Sequence, residues 1–351
     1  MKIRQLFSLL AVSAAVTLTG CSSKIILPLY EDSQLQEKSV KAAEDNLSIQ
    51  YLGVGGHILS YKGTQIMTAP SLSNPHFLFS GPLMPLSPDE EEIDQYLPDV
   101  KDVEMVLVGH GHYDHILDVP YIMQKHAPKS HIYGSKTVGH MMAPAISAER
   151  IHPMNDLMAK GDQPGEWVYS TSGKVRIMAI ESMHAPHIMG INLLAMFGTE
   201  VDEDMESLPW HGVGWKEGQT LSFVIDFLED DKTVAHRIYY QDAASEAPFG
   251  LVPDLKDGKG FDVTILCPAS FDQVDNYPES IVKNTQAPAY VLGHWEDFFA
   301  NDLGGEQRFV RLTDQEEFVE RLEAVMPEGG EWVLPSLFST MHFAPGGKLV
   351  K

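Results

Sequence analysis

Between residues 109 and 118 the chain reads Gly109-His110-Gly111-His112-Tyr113-Asp114-His115-Ile116-Leu117-Asp118. Three imidazoles and a carboxylate fall within residues 110–115, in a chain with only 15 histidines in 351 residues. Neutral imidazole nitrogen and ionised carboxylate are both good ligands for zinc and similar divalent ions. Side chains alternate in direction along an extended segment, so His110 and His112 can point the same way and share one ion. Asp114 and His115 lie past the turn and can address a second. A histidine-rich surface loop would account for the composition but not for the spacing. The glycines at 109 and 111 are expected to permit turn conformations that bulkier residues resist.

The flanking elements place this turn. Met105 to Val108 is a short apolar run bounded by glycine, which predicts a buried strand. Asp118 to His126 predicts a helix with Asp118 as N-cap and Pro120 in its first turn. The pattern His110-x-His112-x-Asp114-His115 between such a strand and helix resembles the signature of the metallo-β-lactamase superfamily. That resemblance implies an α/β chain folded as a four-layer αββα sandwich. It also implies two divalent cations, with zinc the expected pair, although manganese and iron accept the same ligands.

Further ligands follow from the resemblance and from chain order. The alternating strand Val175 to Ile180 leads to His184, taken as the third histidine of the first metal, with His187 as the alternative. Val263 to Leu266 reads as a buried strand, and Ala289 to Trp295 as the last, with His294 at its exit completing the second metal. The strand pair Leu221 to Phe227 and Arg237 to Tyr240 ends in Gln241-Asp242, and the resemblance assigns Asp242 to bridge the two ions. The implied set is therefore His110, His112 and His184 on one ion, and Asp114, His115 and His294 on the other, with Asp242 between and Asp114 the catalytic assignment. Two ions ~3.5–4 Å apart can share a water and lower its pKa toward ~7, giving a hydroxide for hydrolysis.

Other stretches narrow the reading. Pro70, Ser71, Asn74-Pro75 and Gly81-Pro82, with His294-Trp295, resemble the branch containing the N-acyl-phosphatidylethanolamine-hydrolysing phospholipase D. That branch has aspartate where Ala69 stands, and the superfamily has glycine where Gln241 stands. The branch implies a phosphodiesterase on a lipid or small phosphodiester. The alternatives are an ester, lactone or thioester hydrolase, or a non-catalytic metal-binding envelope lipoprotein. Leu47-Ser48-Ile49-Gln50-Tyr51-Leu52, His57 to Tyr61 and Gln65 to Met67 predict an antiparallel opening, with His57 a packed or hydrogen-bonded residue. Residues 68 to 98 read as a long loop. His126, His131, His140 and His152 lack ligand spacing and read as surface or packing residues. Residues 188 to 219 read either as a packed excursion or as a lid over a greasy substrate. Thr313-Asp314-Gln315-Glu316 reads as a capping box before a C-terminal helix, Phe318, Val319, Leu322 and Val325 forming its apolar stripe. His342 falls in a tail with no assigned role.

The N-terminus has its own logic. Lys2 and Arg4 precede the apolar run Leu6 to Leu18, and Leu18-Thr19-Gly20-Cys21 resembles a lipoprotein box with lipid on Cys21. Residues 1–20 are thus read as a signal peptide, 21–46 as a tether and 47–351 as the folded domain. Ser22 after that cysteine favours the periplasmic face of the outer membrane. Cys267 alone then remains, in a buried strand, with no disulfide and no catalytic role. Against 25 basic residues stand 49 acidic ones, a formal charge of −24. Loss of Lys2 and Arg4 makes it more negative. Such a surface repels nucleic acid, leaving a small molecule or lipid as the expected substrate.

Overall fold

The computed structural model describes residues 24–31, 45–73, 85–186, 198–300 and 302–351. Two mixed sheets form the body. One has seven strands: β2 (Leu47–Gly53), β3 (Gly56–Tyr61), β4 (Thr64–Thr68), β5 (Val103–Leu107), β6 (His131–Gly134) and β7 (Ile151–Pro153), with β15 (Thr340–Phe343) beside β2. The other has eight: β8 (Val168–Tyr169), β9 (Val175–Glu181), β10 (Leu221–Leu228), β11 (Val234–Tyr240), β12 (Val263–Leu266), β13 (Ala289–Leu292), β14 (Glu331–Pro335) and β1 (Leu29–Tyr30) at the far edge. Each sheet is antiparallel on one side and parallel on the other.

Period-two alternation explains the layering. On β10, Leu221, Phe223, Ile225 and Phe227 face the inter-sheet core, where Leu47, Ile49, Met105 and Leu107 of the other sheet meet them. Val224 faces outward into a second apolar cluster with Ile281, Phe318 and Leu322 from the helices Glu279–Thr285 and Gln315–Glu323. On β5, Val106 turns to the opposite outer face and packs with Ile93, Ile122 and Met141. Those residues come from the helices Glu90–Tyr96, Val119–Lys125 and Lys136–Met142. The result is the expected four layers, αββα.

Several local expectations are corrected. The helix Glu90–Tyr96, capped by Asp89, interrupts the predicted loop 68–98. Asp118 stands at the N-cap of Val119–Lys125 but its carboxylate makes no cap bond. It accepts instead from the Leu72 amide (2.6 Å), the Ser73 amide (2.8 Å) and the Ser73 hydroxyl, tying residues 72–73 to the helix. The C-terminal helix starts one residue later than the capping box predicts, with Asp314 accepting from the Glu317 amide. Ala289–Leu292 is not the last strand, since β14 and β15 follow it. His342 lies on β15, 2.8 Å from the Ser48 hydroxyl across the pair with β2.

The segment expected as tether is also more than a tether. Leu29 and Tyr30 pair with Leu334 and Pro335, and Ile25, Leu27 and Leu29 pack on the outer cluster of the eight-stranded sheet. Residues 1–23, including Cys21, lie outside the described residues, as do 32–44. Within 188–219, residues 188–197 lie outside them too. Residues 198–219 are a packed excursion: the Met205 amide reaches His140 O (3.1 Å), Gly218 reaches Thr199 O (2.6 Å) and Trp215 is buried. No helix among the described residues is long and apolar enough to cross a membrane.

Candidate metal centre

Four strand exits converge at one end of the sandwich. β5 leads into the histidine-rich turn, β9 into His184, β11 into Asp242 and β13 into His294. Binding groups gather at the carboxyl ends of strands because that is where a sheet hands the chain to loops it can hold rigidly. All seven residues singled out from the sequence meet here. The ligand-type atoms of His110, His112 and His184 lie within 4.8 Å of one another, as do those of His110, His115 and Asp242, and those of Asp114, His115 and His294. His187, the alternative to His184, lies outside the described residues.

Asp242 belongs to the middle trio, between the first, His110, His112 and His184, and the second metal's trio, Asp114, His115 and His294. Its Oδ1 is 3.2 Å from His110 Nδ1, and its Oδ2 is 3.3 Å from His115 Nδ1. The Gly109 amide (3.2 Å) donates to Oδ2, and the Tyr240 hydroxyl stands 3.3 Å from it, sharing its one proton with the Gly55 carbonyl. Asp114 Oδ2 stands 3.4 Å from His115 Nε2 and 3.7 Å from His294 Nε2. His184 donates from Nδ1 to the Ala185 carbonyl (2.6 Å), which leaves Nε2 as its lone-pair nitrogen. The His184 ring centroid is 4.6 Å from that of His110 and 4.9 Å from that of His112.

Gly109 and Gly111 are required here, but not for the expected reason. Neither has a positive φ. A Cβ on Gly109 would lie 2.2 Å from Asp242 Oδ1, and one on Gly111 would lie 2.2 Å from the Lys216 carbonyl. Close approach, not backbone freedom, excludes a side chain.

The electrostatics favour a cation. Burial alone would raise the Asp242 carboxyl, but His115 and His110 outweigh it and hold it well below the carboxylate range. Asp114 is likewise opposed by burial and driven far down by His115, His294 and His112. Burial would lower His115, yet Asp114 and Asp242 push it upward. The pocket thus holds two anions and rewards any positive charge placed among them. His110 Nε2 is buried without a hydrogen-bond partner, which in a packed interior calls for a ligand. Five imidazoles, two carboxylates and an orphaned ring nitrogen fit divalent cations well.

The departures at 69 and 241 do not empty this arrangement. Gln241 is buried and turned to Ser245 Oγ and the Tyr239 hydroxyl, so Asp242 alone faces the centre. Ala69 offers no carboxylate, and the neighbouring residues 72–73 are held by Asp118 instead. His57 is buried beside Thr68 and Gly55, as expected of a structural residue. Two residues escaped the sequence reading. Tyr240, the last residue of β11, lies two positions before Asp242, and that spacing was the available signal; Glu296 follows the left-handed His294, so strand alternation offers no signal for it.

Two mixed sheets enclosed by helices, with a histidine and aspartate cluster at their strand exits, define the metallo-β-lactamase fold class. No protein-family model matches the sequence. Among curated proteins the chain is similar to the endoribonuclease YSH1 of Eremothecium gossypii, 26% identical over 182 residues, which is 45% of this chain and 22% of that protein. The match therefore spans about a fifth of that relative's length. Among solved structures, the metallo hydrolase Igni18 of the archaeon Ignicoccus hospitalis covers 85% of this chain and 98% of its own, at 13% identity and TM-score 0.48. An isothiocyanate hydrolase from Delia radicum gut bacteria covers 85% and 99%, at 16% identity and TM-score 0.48. The metallo-β-lactamase fold protein YhfI of Bacillus subtilis covers 84% and 98%, at 13% identity and TM-score 0.45.

Proposed function

We propose that the chain is a metal-dependent hydrolase with a dinuclear centre, acting on a phosphodiester carried by a lipid or another small molecule. One observation carries the reading: seven side chains from four separate strand exits meet in three overlapping groups of ligand atoms. His110, His112 and His184 would hold one ion, Asp114, His115 and His294 the other, and Asp242 would touch both. Bound there, such ions acidify water and neutralise charge developing on a substrate oxygen. The protein's own part is preorganisation. Asp242 is held by Gly109 N–H and the Tyr240 hydroxyl, and His184 by Ala185, so the donors need not reorganise as charge develops.

The phosphodiester follows from the resemblance to the lipid phospholipase branch and from the endoribonuclease match, whose substrate is also a phosphodiester. The charge of −24 argues against a long polyanion and for a small or lipid substrate. Leu18-Thr19-Gly20-Cys21 supports a lipid anchor in a bacterial envelope, which would hold the enzyme beside membrane substrates. Zinc heads the candidate metals.

Metal-replete protein assayed on bis(p-nitrophenyl) phosphate beside an ester and lactone panel tests the proposal. Phosphodiester turnover lost in Asp114→Ala supports it. Turnover of esters or lactones alone would replace the substrate class. Two equivalents of bound metal with no turnover at all would remove the enzyme.

A further inference from the structure

Two residues behind the second trio have left-handed backbones, Val54 at φ +50° and the site histidine His294 at φ +47°. For residues bearing a Cβ, and for a β-branched one above all, this costs about 1–2 kcal/mol and persists only where the surroundings over-determine it. Here the two positions hold each other. His294 N–H donates to the Val54 carbonyl at 2.9 Å. The Val54 N–H in turn donates to Glu296 Oε1, and the Tyr51 hydroxyl donates to Glu296 Oε2. Both polar groups of the Val54 backbone are therefore gripped by the segment 294–296, and Glu296 is fully buried in making the grip.

The turn so held is the floor of the second cluster. A Cβ on Gly55 would lie 2.9 Å from His115 Nδ1 and 3.0 Å from Asp242 Cβ, so no side chain separates the turn from them. The Gly55 carbonyl accepts from the Tyr240 hydroxyl at 2.8 Å and from Thr68 Oγ1 at 2.6 Å. Glu296 thus binds the turn at Val54, whose carbonyl holds the His294 backbone, while His115 and Asp242 only pack against Gly55. His112 and His184 are carried by other elements, the motif turn and the exit of β9.

We propose that Glu296 is a positioning residue that keeps His294 in its left-handed conformation through Val54, and so sets affinity at the second ion without setting it at the first. The affinity part rests on the dinuclear reading above. Stepwise titration with Co2+, followed by its absorption spectrum and by calorimetry, tests it in wild type, Glu296→Ala, Glu296→Gln and Tyr51→Phe. In Glu296→Ala the second step is expected to weaken 10–100-fold, the range for loss of an outer partner of a ligand. The first step should move by less than about 3-fold, a small fraction of that range. Glutamine, which keeps an acceptor for Val54 N–H, should recover part of the loss, and Tyr51→Phe should lose least. Should the alanine variant not fold, the other two carry the test. An unchanged second step, or equal weakening of both steps, overturns the proposal.

A metal-free crystal structure of Glu296→Ala, the variant that removes the acceptor for Val54 N–H, supplies a readout independent of any ion. His294 is expected to leave its left-handed φ or to draw away from Asp114. Retention of φ near +47° with His294 Nε2 3.7 Å from Asp114 Oδ2 would overturn the positioning role. Wild type that takes up one ion only would sink the dinuclear reading, and these structures would still decide the role of Glu296.

Discussion

β10 and β11 carry a polar cluster at each end, and the two are built on opposite principles. At one end Arg237, fully buried, donates to Asp226 from Nε (2.7 Å) and Nη2 (2.8 Å), and to Asp257 from Nη1 (2.9 Å) and Nη2 (2.6 Å). Arg176 adds a bond to Asp226 (2.9 Å) and stacks its guanidinium 4.1 Å from the Trp167 ring. Each carboxylate there meets a guanidinium fork. Five residues on from Arg237, roughly 17 Å along the strand, Asp242 opens the other cluster. There the carboxylates face imidazoles, and His110 Nε2 is buried with no hydrogen-bond partner. Equal burial thus serves two ends: the saturated cluster closes the sandwich, and the unsaturated one is left to be completed by something that is not protein.

The largest effect expected from breaking this contrast is on catalysis. Asp114→Asn keeps the shape of the side chain and removes an anion from the unsaturated cluster. It should lower turnover by about a thousand-fold or more. The metal-free protein should also lose some stability, because the Asp114 carboxylate and His115 favour each other's charged forms there. Next in size is the reverse case. Arg237→Met leaves Asp226 buried without its bidentate partner and should cost about 3–5 kcal/mol in urea unfolding, with turnover per folded molecule unchanged. Replacing Asp226 by leucine in the same chain should restore part of that loss, because the stranded charge goes with it.

Acid sharpens the comparison. His57 belongs to neither cluster: burial pushes it down to about 4, with only the Gly55 carbonyl and Asp242 pulling the other way. A histidine lowered in the folded state takes up its proton more readily when unfolded, so folding weakens as pH falls from about 6.5 to 4. The loss should approach about 3 kcal/mol at the bottom of that window. His115 has the opposite sign. Raised by Asp114 and Asp242, it stabilises the metal-free fold fully below its unfolded pKa, and that stability fades as pH rises through its folded value. Denaturant unfolding of metal-free wild type and His57→Gln across this range separates the two. If His57→Gln keeps the full acid slope, the assignment to His57 fails.

How much of this was readable beforehand depended on distance along the chain. His110, His112, Asp114 and His115 are contiguous, and alternation plus one turn suffices to aim them. His184, Asp242 and His294 were reachable only through chain order and the resemblance, each following an apolar strand. Pairings such as Leu29 with Leu334, or Thr340 with Gln50, join the two ends of the sequence, and no local pattern announces them. β14, β15 and the docked segment 24–31 were missed for that reason. Glu296 was missed because its meaning lies in Val54, 242 residues away, and in a backbone conformation that composition does not encode.

The smallest effect concerns the residue between the clusters. Gln241 stands where the resemblance implies glycine, and its side chain binds Ser245 Oγ and the Tyr239 hydroxyl on the side away from the imidazoles. Gln241→Gly removes two modest hydrogen bonds, leaves buried partners unsatisfied and adds backbone freedom to the unfolded chain. About 1–2 kcal/mol of stability should go. Affinity for either ion should stay within about 3-fold of wild type, well short of what losing a ligand's direct support costs, because Asp242 keeps Gly109 N–H and the Tyr240 hydroxyl. A gain in affinity or turnover on restoring glycine would show instead that Gln241 restrains Asp242, and that the strand between the clusters couples them rather than keeping them apart.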